Sequence, residues 1–181
     1  RHYNTRIRGI YERIAQFPKP TIAQIDGFCL GGGLNLAVCC DIRLCSTKSK
    51  FAMPAAKLAL GYPFPAIERL MAAIGVSNAK YLMFTAERID ATTAFQMGFV
   101  QSVHPEDELE AAVTALATQI GQNAPLTVKA MKYISTQVLA SPETRDLGRC
   151  DAMVEACFAS EDYKEGRAAF MEKRPPQFKG Q

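Results

Sequence analysis

No stretch of this sequence is apolar for the roughly 20 residues that a helix needs to cross a bilayer. Its opening, Arg1-His2-Tyr3-Asn4, has neither the apolar run nor the small-residue cleavage site of a secretion signal. A soluble chain in the cytoplasm, with no membrane partner, is expected. Histidine is scarce: there are two, His2 at the terminus and His104 before Pro105 in a surface-type connection. With no His/Cys/Asp cluster, neither is expected to act as a base and no metal site is expected. None of the six cysteines (Cys29, Cys39, Cys40, Cys45, Cys150, Cys157) stands in a C-x-x-C pair, and adjacent Cys39 and Cys40 are awkward disulfide partners. Reduced, buried thiols are expected. Excess charge of one sign is also missing, since a net +3 scattered along the chain is too little for a nucleic-acid partner.

What is present is apolar material. In 181 residues, 48% are hydrophobic, enough for one packed core and too little for two comfortable domains. From Arg6 to Phe17, Ile7, Ile10, Tyr11 and Ile14 fall at helical spacing, which stops at Pro18 and Pro20. Thr21 to Asp26 alternates and is β-branched, predicting a strand that runs into Gly27 and then Gly31-Gly32-Gly33. Leu34 to Cys40 is apolar almost all round, as a buried helix is, and Asp41 to Cys45 alternates again. A short strand is predicted near Phe51 to Met53. Strand, glycine turn, buried helix and strand make an α/β crossover unit.

Beyond Ile67 the chain reads as helical, apart from a short strand at Phe99 to Val103. The clearest helix spans 106–120, with Glu106 and Glu108 in its first turn and a stripe of Leu109, Val113, Leu116 and Ile120. Others are predicted over about 125–139, 143–159 and 161–172.

Three successive glycines between a strand and a buried helix allow close backbone approach and leave free N–H groups at a helix start. Such a place suits an oxyanion or a phosphate; it is equally what a tight turn requires. It is not a phosphate loop, because no Gly-Lys-Ser/Thr follows and the G-x-G-x-x-G spacing is absent.

The stretch Lys19-Pro-Thr-Ile-Ala-Gln-Ile-Asp-Gly-Phe-Cys-Leu-Gly-Gly-Gly-Leu-Asn-Leu-Ala-Val-Cys-Cys-Asp41 resembles the signature of the crotonase, or enoyl-CoA hydratase/isomerase, superfamily. The resemblance continues in order through Phe51 to Leu60, Glu87 to Val100, Asn123 to Leu126 and Ser160 to Pro175. It implies a crotonase-type α/β fold: a ββα spiral core, of which residues 1–122 form part, followed by a helical trimerisation region over 123–181. It also implies that the family's N-terminal third, with strands, part of the CoA cleft and half of the oxyanion hole, lies upstream of this chain, which does not begin with Met.

Residue by residue, the resemblance places Gly32 where a backbone N–H forms the other half of that hole, pointing at the thioester oxygen of a bound acyl-CoA. Phe170 and Lys173 match positions that reach the adenine and phosphate of CoA; as a helix stripe with a solvated lysine they need no such role. The expected partners are an acyl-CoA thioester, as substrate and not as cofactor, and further copies in a trimer or hexamer.

The sequence departs from a hydratase at both catalytic glutamates, whose places hold Asn35 and Ala55. An amide holds a water without taking its proton, and a methyl does neither. Tyr62, in Leu60-Gly61-Tyr62-Pro63, matches a tyrosine of methylmalonyl-CoA decarboxylase, which the C-terminal block also resembles. A phenol there can donate to a substrate carboxylate or simply cap the acyl pocket. Glu68 beside Arg69 is a catalytic candidate or a solvated helix face, while Asp26 and Asp41 bracket the turn and the helix end as structural groups. Three functions stay open: a lyase or isomerase on acyl-CoA thioesters in fatty acid metabolism, working through an enolate without the usual glutamates; a decarboxylase of malonyl-type CoA esters using Tyr62; and a non-catalytic crotonase homologue.

Overall fold

A computed structural model describes residues 2–181, with side chains from Gly9 onward, so the His2 and Ile7 side chains named above lie outside the described range. Arg1–Phe17 with Thr21–Thr114 form one compact unit, and Pro18–Pro20 with Ala115–Gln181 form another.

In the first unit, helix α1 (His2–Ala15) leads to β1 (Ile22–Ile25), β2 (Phe28–Leu30), α2 (Gly32–Cys39), β3 (Ile42–Ser46) and β4 (Lys50–Ala52). A 3-10 helix (Pro54–Leu58), α3 (Phe64–Thr85), β5 (Ile89–Asp90), α4 (Ala91–Gln96) and β6 (Ser102–His104) follow. Two three-stranded sheets result, in the orders β1-β3-β6 and β2-β4-β5. β1, β3 and β6 run parallel, with Ile22 opposite Ile42 and Cys45 opposite Val103, so the chain crosses over through α2 as expected. β2 pairs in parallel with β4, and β4 with β5 antiparallel.

Leu34 and Val38 of α2, Cys45, Phe51, Leu70, Leu82 and Phe99 form the core. Phe51 and Phe99 meet edge to face at 5.2 Å, a geometry worth about 1 kcal/mol beyond area burial. Arg43, on β3, is buried with them. Its guanidinium lies over the Phe99 ring, and it donates to the carbonyls of Cys40 at 2.8 Å and of Phe99. The bond to Cys40 satisfies a carbonyl left open where α2 ends, and the bond to Phe99 ties β3 to the segment after α4. Asp41, just past that end, accepts from Thr21 N at 2.7 Å and Thr21 Oγ1 at 2.9 Å, tying α2 to the start of β1. Asp26 pairs with Lys48 at 3.2 Å. Both aspartates thus have structural partners, as expected.

The structure corrects three boundaries. The helix expected over 106–120 is α5 (Leu109–Gly121); Pro105 sets a turn first, its carbonyl accepting from Glu108 N and Leu109 N, so the first-turn acid is Glu110. The strand expected at Phe99 to Val103 begins at Ser102, because Phe99 N is drawn to Ala94 O as α4 ends. The helix expected from about 143 is α7 (Leu147–Ala159), which waits for Asp146, whose side chain accepts from Arg149 N at 3.0 Å as its cap.

The division between units falls inside α5. In the second unit α6 (Pro125–Leu139) and α8 (Glu161–Glu172) have the predicted limits. Pro125 opens α6 where its missing N–H costs nothing, and Ser160 caps α8 by accepting from Tyr163 N at 3.1 Å. The buried carboxylate of Asp162 holds the C-terminal segment through Lys179 N at 2.7 Å and Gly180 N at 2.8 Å. No helix among the described residues is long and apolar enough to cross a membrane.

Candidate active site around the glycine turn

β2 delivers the chain to Gly31, whose N–H bonds to Ala52 O of β4 at 2.9 Å. The backbone then reverses at Gly31 with φ 50° and ψ −107°, a conformation a side chain would strain. α2 starts at once with Gly32, so Gly32 N–H is an N-terminal amide with no intrahelical acceptor. Gly32 and Gly33 are exposed, while Leu34 and Asn35 one step later are buried. The result is a helix whose positive end opens outward and whose body is anchored in the core, suited to a developing negative charge.

Two phenols touch this turn. Tyr62, in the loop before α3, donates its hydroxyl to Gly31 O at 3.0 Å. That carbonyl also accepts Asn35 N–H at 2.9 Å, which occupies both of its lone pairs. Burial, with the phenol of Tyr11 and the thiol of Cys39 adding smaller effects, pushes the Tyr62 hydroxyl up to about 12, so it is a donor at any ordinary pH. Tyr11, on α1, donates to Gly32 O at 3.2 Å, and its hydroxyl stands 3.3 Å from where a Cβ on Gly32 would lie. Sequence reasoning placed Tyr11 in a helical stripe and missed this contact; no local signal marks it, because the partners are 21 residues apart.

Asn35 is 4% exposed, and its Oδ1 is the one buried side-chain oxygen or nitrogen among the described residues with no hydrogen-bond partner. It stands one helical turn beyond Gly31 and Gly32, on the same face. Ala55 sits in the 3-10 helix, half-buried, and brings no polar group. Glu68 is exposed on α3, whereas its neighbour Arg69 reaches Glu12 at 2.7 Å. Buried Cys29 and Cys45 are pushed up to about 12 and about 11 by desolvation, which leaves them as packing groups and not nucleophiles.

Gly32, Asn35 and Tyr62 therefore belong to one cluster in the first unit. Phe170 and Lys173 belong to the second. Phe170 is 82% exposed and borders an apolar groove of about 610 Å³ between α6, α7 and α8, with Met131, Ile134 and Phe158. Lys173 ends α8 in the left-handed conformation, φ 56°. No group of three or more metal-ligating side chains is found among the described residues.

Residues 1–181 match the enoyl-CoA hydratase/isomerase family. The chain is 35% identical over 169 residues to a crotonyl-CoA hydratase of Syntrophomonas wolfei, covering 93% of this chain and 65% of that protein. It is 37% identical over 171 residues to a mitochondrial Delta(3,5)-Delta(2,4)-dienoyl-CoA isomerase of Dictyostelium discoideum, covering 93% of this chain and 58% of that one. The crystal structure of an enoyl-CoA hydratase from Bacillus anthracis superposes with a TM-score of 0.90 at 34% identity, over all of this chain and 70% of that chain. The chain thus spans under two thirds of the length of these curated relatives.

Proposed function

The chain belongs to the enoyl-CoA hydratase/isomerase family, and from that premise we propose that it binds acyl-CoA thioesters and stabilises their enolates through the N–H of Gly32. The observation that carries this is the glycine turn itself: Gly31, in a conformation that would strain any side chain, opens a core-anchored helix at the exposed residue Gly32, whose amide has no intrahelical acceptor. A single well-placed donor of this kind is worth about a hundred- to a thousandfold in rate where an oxyanion develops. Asn35 and Ala55 hold the two places from which a hydratase's glutamates work, so the site binds and polarises without moving protons as those enzymes do. Phe170 and Lys173 serve the adenine and phosphate of CoA, and the copies assemble as a trimer or hexamer.

Decarboxylation of a malonyl-type ester by Tyr62 is disfavoured, because its single phenol proton is already committed to Gly31 O. A purely structural homologue has no use for an exposed glycine whose N–H starts the helix without an intrahelical acceptor. The test is incubation of the full chain with crotonyl-CoA and with methylmalonyl-CoA, following water addition and CO2 release, beside equilibrium binding of butanoyl-CoA. Saturable butanoyl-CoA binding with slow hydration is expected. Loss of CO2 from methylmalonyl-CoA would put the decarboxylase first, and no thioester binding would leave the non-catalytic homologue.

A further inference from the structure

The peptide group that ends in the Gly32 N–H begins at the Gly31 carbonyl, and a peptide is planar, with its C=O and N–H pointing in opposite directions when trans. Whatever holds the Gly31 oxygen therefore aims the Gly32 hydrogen. That oxygen is held from two sides, by Asn35 N–H at 2.9 Å and by the Tyr62 hydroxyl at 3.0 Å. The first is part of the helix and is present in any α-helix. The second comes from a loop 31 residues away and has no role in making the helix.

We propose that Tyr62 is a positioning residue for the oxyanion contact: its hydroxyl, bound to Gly31 O, fixes the tilt of the Gly31–Gly32 peptide and strengthens the Gly32 N–H as a donor. The inference rests on the enolate-binding role of Gly32 given above. Its chemistry is unambiguous as to direction, because a carbonyl oxygen only accepts and the phenol must be the donor. A donor on the oxygen of an amide draws electron density from its nitrogen, so the far N–H becomes a stronger donor, as in any chain of hydrogen bonds. The phenol stays protonated because burial raises it to about 12.

Glycine at position 31 makes such a brace necessary. With φ 50° and ψ −107°, Gly31 has no Cβ to restrict its rotation, and ψ of this residue is the angle that swings the Gly31–Gly32 peptide plane. Tyr11 acts one peptide later. It donates to Gly32 O at 3.2 Å, so it steadies the Gly32–Gly33 peptide and bears on the Gly32 N–H only through the shared residue. The expected order of importance is Tyr62 before Tyr11.

The test compares two thioesters in the full chain. 3-Oxobutanoyl-CoA forms an enolate with its own near-ultraviolet band, and butanoyl-CoA, which stays an ordinary thioester, reports ground-state binding. The parent should bind the first partly as enolate. Tyr62→Phe removes one oxygen and should weaken enolate binding about tenfold while butanoyl-CoA affinity stays within about twofold. Tyr11→Phe should produce a smaller loss in the same direction. Replacing tyrosine by 3-fluorotyrosine keeps the shape and makes the phenol a better donor, so enolate affinity should rise in the parent and clearly less in Tyr62→Phe, where Tyr11 alone is left to act on the turn. This arm remains informative if Tyr62→Phe folds poorly, since a merely structural hydroxyl gives no gain. Equal losses for both thioesters, or no loss for the enolate, would overturn the proposal while leaving acyl-CoA binding standing. A parent that binds butanoyl-CoA but never takes 3-oxobutanoyl-CoA as its enolate would instead sink the Gly32 role, and the brace with it.

Discussion

The guanidinium of Arg43 reaches back from β3 to the carbonyl of Cys40 at 2.8 Å, closing the C-terminal end of the helix whose other end carries Gly32. Burial pulls the arginine below its ordinary value, with the thiol of Cys40 and the carboxylate of Asp41 opposing, and the Phe99 ring covers its face. Replacing Arg43 with Met keeps the apolar stem but removes the donor that reaches the carbonyls of Cys40 and Phe99. The expected loss is about 2–4 kcal/mol, read from the urea midpoint. Arg43→Lys should recover only part, since an ammonium cannot serve two carbonyls from one plane. A loss below about 0.5 kcal/mol for Arg43→Met would mean that these bonds contribute little.

An acid-sensitive clasp lies in the second unit. Arg174 grips Glu165 with both fork nitrogens, at 2.6 and 2.9 Å, and Gln177 N adds a third bond at 2.8 Å. The arginine first, then the Gln177 amide, hold the Glu165 carboxyl down at about 2, against about 4.3 for a free glutamate. A carboxylate lowered on folding stabilises above its unfolded value and loses that stabilisation as pH falls through its folded one. Stability should therefore decline between about pH 4 and pH 2, and Glu165→Gln should flatten that part of the curve. The check is denaturation at steps of pH with both proteins; equal slopes would remove the clasp from the account.

How much of this was readable beforehand depended on whether the cause was local. The glycine turn, β1, β3 and the limits of α6 and α8 follow from spacing, Pro125 and Ser160, all signals within one or two turns of chain. β2, three residues long and caught between Gly27 and Gly31, exists because β4 is there to pair with it, and nothing in Phe28–Leu30 alone announces a strand. The same limit hid Tyr11, whose use is set by where α1 lies. It also concealed the Tyr62 contact: the sequence left that phenol either donating to a substrate carboxylate or capping the acyl pocket, and the fold turns it onto Gly31 O.

The second unit leaves Met131, Val138, Leu139, Phe158, Phe170 and Met171 each more than half exposed. So much apolar surface in helices this small is what an assembly interface requires. Sedimentation at micromolar concentration should give a trimer or hexamer, and Phe158→Glu should shift it toward smaller species without unfolding the first unit. A parent that sediments as a monomer would remove the assembly from the proposed function.

Asn35 lies on the same face of α2 as Gly32 and its Oδ1 has no partner, while Ala55 presents only a methyl. A glutamate at 35 would enter a buried position, where desolvation lifts a carboxyl toward neutrality and so improves it as a base. A glutamate at 55 would supply the second carboxylate. Each general acid or base typically contributes about a hundred- to ten-thousandfold. The double change Asn35→Glu and Ala55→Glu should therefore raise crotonyl-CoA hydration by at least about a hundredfold over the parent, mainly in kcat, because the enolate contact at Gly32 is untouched. Either single change should give much less, since water activation and protonation of the α carbon are separate tasks. Should the parent already hydrate crotonyl-CoA at the speed of an ordinary hydratase, the base lies elsewhere, and Glu68→Gln becomes the next variant to assay.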